Sequence, residues 1–219
     1  MHTSEDVFYM DYRNQIIGQY LQPGKQVHLV GIGGISMRPL GLVLKERGLI
    51  VTGSDRSSTA STDELIAKGI PVRFGHFAEN IEGACCVIRT AAVHDDNPEI
   101  MAAHAAGIPV FERAQAWGCI MRDYDHAVCV AGTHGKTTTT SMIAHILMAA
   151  ETDPTIVVGA HLDLINACHR IGNGDTIVME SCEFCDSFLN FSPSLAVILN
   201  VDADHLDYFK TMDGVKRSF

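Results

Sequence analysis

The chain has 219 residues, of which 47% are hydrophobic and 19% charged, the balance of a folded globular protein of one or two domains rather than a disordered segment. Its formal net charge is −10 and it carries no basic run, which argues against nucleic acid as the main partner. Any phosphate it binds must then be met by backbone N–H groups, helix N-termini, a few placed cations or Mg²⁺.

Met1 to Tyr20 mixes acidic, basic and aromatic residues without an apolar stretch, so neither a secretory signal nor a membrane anchor is expected and the protein is placed in the cytoplasm. Seven Cys is an odd count, and most of them sit in apolar runs such as Ala84-Cys85-Cys86-Val87-Ile88, as thiols of a reducing compartment do. From Val27 onward, short β-branched runs alternate with helical patterns. Strands are expected at Val27 to Val30, Leu49 to Thr52, Pro71 to Phe74, Cys85 to Arg89 and Val110 to Glu112. Helices are expected between them at Ser36 to Arg47, Thr62 to Lys68, Pro98 to Ala106 and Ala114 to Met121, each near Gly, Pro, Ser or Asn. This is the order of βα units on a parallel sheet.

The polar stretch Arg122-Asp123-Tyr124-Asp125-His126 breaks that rhythm. A second series follows, with strands at Ala127 to Ala131, Thr155 to Val158, Thr176 to Met179 and Leu195 to Leu199, and a helix at Lys136 to Ala150. The pattern stops at Phe219 inside a further helix with no terminating signal, so the second domain is expected to be incomplete. The resulting division is 1–24 as an N-terminal extension, 25–124 as a Rossmann-like α/β domain with a parallel sheet, and 125–219 as a truncated P-loop-type α/β ATPase domain.

Two strand–turn–helix segments carry chemistry. In Val128-Cys129-Val130-Ala131-Gly132-Thr133-His134-Gly135-Lys136-Thr137-Thr138, the two glycines let the main chain approach phosphates, and the helix N-terminus offers N–H groups with a partial positive charge. Lys136 can reach the β- and γ-phosphates, and the Thr137 hydroxyl is placed to ligate Mg²⁺. The strict G-x-x-x-x-G-K-[ST] spacing fails, because Val130 stands where its first glycine would be. The second segment, Val27 to Met37, half matches the dinucleotide fingerprint: Gly31 and Gly33 fit, Ser36 replaces the third glycine, and Asp55 follows the next strand. A nicotinamide or flavin, another nucleoside diphosphate, or tight helix–strand packing without a ligand all agree with it.

Glu183 and His205 lie on segments that follow later strands, where open α/β sheets bind ligands. Together with Thr137 and phosphate oxygens they would make a shell for Mg²⁺; a pair of solvated acidic loops is the plainer reading. Cys182-Glu183-Phe184-Cys185 has no second ligand pair to close a zinc site and reads as two packed thiols.

The segments Gly31-Ile32-Gly33-Gly34-Ile35-Ser36-Met37, Gly53-Ser54-Asp55, Gly75-His76, Asn97-Pro98-Glu99, Gly132-Thr133-His134-Gly135-Lys136-Thr137-Thr138 and Asn200-x-x-x-Asp204-His205-x-Asp207 resemble, in order and spacing, those of the Mur ligases. The resemblance runs from Val27 to Phe219. It implies a first domain for a UDP-sugar, a central ATPase domain and a third domain for ATP and the amino acid, the last expected to be missing here. It implies UDP-sugar contacts at Gly31, Ile32, Gly33, Gly34, Ile35, Ser36, Asp55, His76 and Thr90, and ATP contacts from Gly132 to Thr138. Lys136, Glu183 and His205 become the catalytic set, and Thr137, Glu183 and His205 the metal ligands. The implied reaction uses ATP and Mg²⁺ to join L-alanine to the lactyl carboxylate of UDP-N-acetylmuramate through an acyl phosphate, for peptidoglycan synthesis. Another Mur-type ligase, such as one that recycles tripeptide, and a nucleotide-binding fragment without catalysis are the alternatives; oligomeric state is left open. Two features bear on the choice. Many relatives read Glu-Ala-Asp-Glu-Ser-Asp where this chain has Glu180-Ser181-Cys182-Glu183-Phe184-Cys185, and the Gly-Ile-Gly-Gly loop argues against the recycling ligase, which carries Cys at its third position.

Overall fold

The computed structural model describes residues 16–219, so positions 1–15 of the expected N-terminal extension lie outside it. The described chain forms two compact units that divide between Ala116 and Trp117.

The first unit is a five-stranded sheet in the order β3-β2-β1-β4-β5. Its strands are β1 (Gln26–Val30), β2 (Ile50–Asp55), β3 (Val72–Phe74), β4 (Cys86–Arg89) and β5 (Val110–Glu112), and every pairing is parallel. Helices α1 (Met37–Glu46), α2 (Ala60–Ala67) and α3 (Pro98–Ala105) make the crossovers, and α4 (Arg113–Met121) contains the division. Local chemistry sets the helix starts. Thr59 and Thr62 form a reciprocal capping box at α2, while Asn97 accepts the Glu99 N–H ahead of Pro98 at α3. The strands are apolar on both faces, as a covered parallel sheet demands: Val27, Leu29 and Val30 are all fully buried. Each such side chain contributes about 1.5–3 kcal/mol of transfer free energy. Val30, Val87, Ile100 and Ala103 form one core under α3.

The second unit has the sheet order β10-β6-β9-β7-β8, with β6 (His126–Ala131), β7 (Thr155–Leu162), β8 (Ala167–Arg170), β9 (Thr176–Glu180) and β10 (Leu195–Ile198). All neighbours run parallel except β7 and β8, which form an antiparallel pair absent from the sequence-based expectation. Helix α5 (Lys136–Ala149) buries Ala144 against Ile156, Val158 and Val178. Short helices α6 (Leu206–Phe209) and α7 (Met212–Ser218) follow β10. Tyr208 and Ser218 both donate to the Asp186 carboxylate, tying these helices to the loop after β9. All seven cysteines are free thiols.

In both sheets the loops that carry the motifs leave the carboxyl ends of the strands. In the first, β1 and β4 are neighbours whose crossovers diverge, the switch point at which open α/β sheets accept ligands.

Candidate nucleotide and metal sites

The loop between β6 and α5 is held open at its base by contacts from the chain after β10. Gly132 has φ +132°, and a Cβ there would come within 3.1 Å of the Asn200 backbone and of the Leu199 side chain, so only glycine fits. The Asn200 side chain pairs with the His134 main chain in both directions, accepting from its N–H at 2.8 Å and donating to its carbonyl at 2.9 Å. Thr133 donates its N–H to the Asn200 carbonyl, and its hydroxyl accepts the Asp202 N–H at 2.9 Å. Gly135 then takes φ +84°, and α5 starts without a side-chain cap. The first helical bond runs from the Thr139 N–H to the Gly135 carbonyl, so the N–H groups of Lys136, Thr137 and Thr138 form the first turn of α5, the end of a helix at which an anion is favoured. His134 and Thr138 are exposed there.

Lys136 folds back over this loop. Its ammonium donates to the Gly132 and Thr133 carbonyls at 2.6 and 3.2 Å, and lies 2.9 and 3.2 Å from the two Glu183 oxygens. The Thr137 hydroxyl donates to Glu180 at 2.9 Å, and Glu180 also accepts the Gly159 N–H at 2.8 Å. Glu183, Asp204 and His205 come together, with one potential ligand atom from each within 4.8 Å of the others. Two carboxylates and an imidazole at that spacing suit a hard divalent cation that completes its shell with water and phosphate oxygens. His205 has a left-handed backbone (φ +49°), and its ring lies against Phe184 with centroids 4.9 Å apart.

In the first unit, a cleft of about 350 Å³ opens at the carboxyl ends of β1, β2 and β4. It is lined by Gly31, Gly33, Gly34, Asp55, His76 and Thr90, all expected there, and also by Arg56, Thr59, Ala92 and Val93, which were not. Asp55 shapes the glycine turn: its two carboxylate oxygens accept the Gly33 and Arg56 N–H groups, each at 2.8 Å. Ile32 does not line the cleft. Its side chain is fully buried and fills the space over Gly53, where a Cβ would meet Ile32 Cδ1 at 2.5 Å. Ile35 is half exposed, and Ser36 begins α1 without capping it through its side chain; neither lines the cleft.

Behind His76 lies a buried polar network centred on Glu99. Its carboxylate accepts from Ser54 at 2.6 Å and Asn80 at 2.5 Å, while His76 Nδ1 and His28 Nε2 each stand 3.5 Å away, the latter without hydrogen-bond geometry. Burial alone would raise the Glu99 pKa, but the nearby His28 imidazole and the donors Ser54 and Asn80 outweigh it, so the carboxyl titrates below its ordinary range.

Residues 26–125 match the model of the Mur ligase family catalytic domain, and residues 130–219 match that of the Mur ligase middle domain. The chain belongs to the Mur ligase family. Among its Mur ligase relatives, the UDP-N-acetylmuramate--L-alanine ligase of Agathobacter rectalis is 50% identical over 194 residues, covering 88% of this chain and 42% of the relative. The same-named protein of Caldanaerobacter subterraneus subsp. tengcongensis is 49% identical, covering 91% and 43%. The chain thus spans about two-fifths of the length of these curated relatives. In structure it is similar to the UDP-N-acetylmuramate-alanine ligase MurC of Thermotoga maritima, with a TM-score of 0.80 and 36% identity over 88% of this chain and 45% of that one. A UDP-N-acetylmuramate:L-alanyl-gamma-D-glutamyl-meso-diaminopimelate ligase from Neisseria meningitides reaches a TM-score of 0.81 at 26% identity, covering 89% and 66%.

Within the Mur ligase motifs, the structure brings Lys136, Glu183 and His205 into one place, as expected, and sets Thr137 beside them on Glu180. Sequence reasoning left out Glu180, Asn200 and Asp204. Asn200 and Asp204 stood inside the last quoted motif and Glu180 opened the segment compared with the family's acidic pattern, so a signal was present for all three; the contacts of Glu180 show its place beside Thr137. Phe184, one of the departures from the common acidic pattern, packs on His205 and on Tyr208 at 5.8 Å, so it supports the cluster through ring contact.

Proposed function

We propose that this chain carries the UDP-sugar-binding and ATP-binding parts of a cytoplasmic ligase that joins L-alanine to the lactyl carboxylate of UDP-N-acetylmuramate. The observation that carries the reading is the meeting of Lys136, Glu183, Asp204 and His205 around an uncapped helix N-terminus. The names of the relatives supply the substrates.

A carboxylate resists attack by an amine because its carbon is electron-rich and its leaving group would be oxide. In the proposed reaction a carboxylate oxygen attacks the γ-phosphorus of ATP, the bond to the β,γ-bridging oxygen breaks, and ADP leaves. The amine of L-alanine then attacks the acyl carbon and phosphate departs, with loss of a proton from nitrogen. Lys136 would exchange its bonds to the Gly132 and Thr133 carbonyls for phosphate oxygens, and the α5 amides would meet the same anion. Glu183, Asp204 and His205 would hold Mg²⁺, with Thr137 kept in place by Glu180. When bound, the ion neutralises charge on the transferring phosphoryl oxygens.

Titration calorimetry of the 219-residue chain with ATP and Mg²⁺, and separately with UDP-N-acetylmuramate, tests the two halves. Binding of both supports the reading, and binding of neither overturns it. Release of ADP that depends on L-alanine rather than on a tripeptide, measured in the full-length ligase, separates the reaction from that of the recycling enzyme.

A further inference from the structure

Two thiols stand three residues apart on either side of Glu183. Cys86, Cys129 and Cys168 are buried, whereas Cys182 and Cys185 are half-buried and so open in part to small solutes. Neither joins a group of metal ligands: among the described residues, the cluster of ligand atoms within 4.8 Å of one another is made by Glu183, Asp204 and His205 without them. A soft-metal site with too few ligands is thereby set aside, and what remains is the chemistry of one thiol toward the other.

The backbone brings the pair to bridging distance. Glu183 takes φ −75° and ψ −22°, and Phe184 is helical as well. Cys182 and Cys185 therefore occupy the first and last places of a four-residue turn, whose outer Cα atoms approach within about 7 Å. A disulfide spans Cα atoms about 4.4–6.8 Å apart. Cys85 and Cys86 fail that criterion, since adjacent Cα atoms are only about 3.8 Å apart, and Cys86 is fully buried.

The residues enclosed by the turn give such a link its consequence. Glu183 pairs with Lys136 and meets Asp204 and His205, while Phe184 packs its ring on His205 and Tyr208. Just beyond, Cys185 and Asp186 hold left-handed backbone at φ +53° and +54°, a costly conformation for residues with a Cβ. Closing an S–S bond fixes its two Cβ atoms about 3.5–4.5 Å apart and resets the two residues that place the carboxylate and support the imidazole.

We propose that Cys182 and Cys185 are a modification site, forming a reversible disulfide that moves Glu183 and weakens the binding of ATP with Mg²⁺. The oxidant is a low-molecular-weight disulfide. One cysteine thiolate attacks it, releasing one small thiol and leaving a mixed disulfide; the other cysteine then displaces the second small thiol. Two protein S–H bonds and one small-molecule S–S bond become one protein S–S bond and two small-molecule S–H bonds. In a reducing compartment such a bond is transient and registers oxidation. The inference rests on the reading of this site as the one for ATP and Mg²⁺.

The test uses the 219-residue chain, wild type and the double variant Cys182→Ser with Cys185→Ser. Each is titrated calorimetrically with ATP and Mg²⁺ before treatment with oxidised glutathione, after it, and after reduction by dithiothreitol, with peptide mass spectrometry at every stage. Oxidised wild type is expected to carry a Cys182–Cys185 link and to bind ATP about 10-fold more weakly, with full recovery on reduction. The double variant should bind like reduced wild type throughout. Absence of the link under excess oxidised glutathione, or a link that leaves affinity within about 2-fold, overturns the proposal. An equal loss in the double variant overturns it too, because other thiols then carry the effect. If reduced wild type binds no ATP, the reading of the ATP site fails and the control by Cys182 and Cys185 falls with it, whatever the mass spectra show.

Discussion

The Lys136 ammonium lies 2.9 Å from Oε2 of Glu183, and Glu183 is 1% exposed. This ion pair sits at the point where the loop after β6 meets the loop after β9. Removing one member of a buried pair strands the other, and the stranded carboxylate is destabilising by several kcal/mol. Lys136→Ala should therefore lower stability by about 2–4 kcal/mol and reduce ATP turnover in the full-length ligase by at least about 10³-fold. The double variant Lys136→Ala with Glu183→Gln should recover much of the stability and none of the turnover. Urea unfolding of the four proteins in the cycle, beside an ADP-release assay, checks both statements; additive stability losses would contradict the pairing.

Asn200 joins two segments through a reciprocal pair of bonds to the His134 main chain. Asn200→Ala removes both and is expected to destabilise the second unit by about 1–3 kcal/mol. The nucleotide dissociation constant should rise together with that loss, as seen by calorimetry. Unchanged ATP affinity would show that the loop keeps its shape without this clamp.

Gly53 lies where β2 passes beneath Ile32. A Cβ there would come within 2.8 Å of the Leu29 carbonyl oxygen as well as striking Ile32, and neither a buried strand nor a fully buried side chain can give way easily. Gly53→Ala should destabilise by about 1–3 kcal/mol, measured as a lower urea midpoint. Gly107→Ala makes a useful contrast, since a Cβ there meets nothing within 4 Å but carries the strain of φ +68°.

Glu99 gives a pH signature. Its native pKa lies below the ordinary value of 4.5, so the unfolded chain takes up the proton first as pH falls. The stabilisation is fully present above about pH 4.5 and disappears as pH drops through the native value. Glu99→Gln should be less stable than wild type at pH 7, and the gap between their urea midpoints should narrow steadily below pH 4.5. A gap that stayed constant down to pH 3 would mean that Glu99 is not held as a carboxylate by His28, Ser54 and Asn80.

The alternation of β-branched runs with helical stretches was enough to read both α/β units, because parallel strands buried on two faces leave continuous apolar signals such as Val27 to Val30. Strand β8 escaped notice: Ala167-Cys168-His169-Arg170 is short, mixed in polarity, and paired only through its antiparallel partner β7. The two glycines made the loop after β6 legible as a tight turn from strand to helix, because few residue types take its positive-φ backbone. Ser54, Glu99 and Glu180 stood inside quoted segments, yet the contacts they make did not announce themselves, since a carboxylate reads the same in a string of letters whether it is solvated or buried. The glycines of the turn after β1 signal a close approach of main chain, and the fold adds that the Gly31 and Ile32 N–H groups donate to the Ser54 carbonyl.

Asn200 and Asp202 grip the loop at Thr133 and His134, and a few residues further on Asp204 and His205 face Glu183. On the proposed reading, a single stretch of backbone would border two guests, a triphosphate on one side and a divalent ion on the other. Whichever arrives first has already stilled part of the chain that the second must order, so its successor meets a smaller entropic penalty. Because free energy around a closed cycle is indifferent to the route, that assistance is mutual and equal in size.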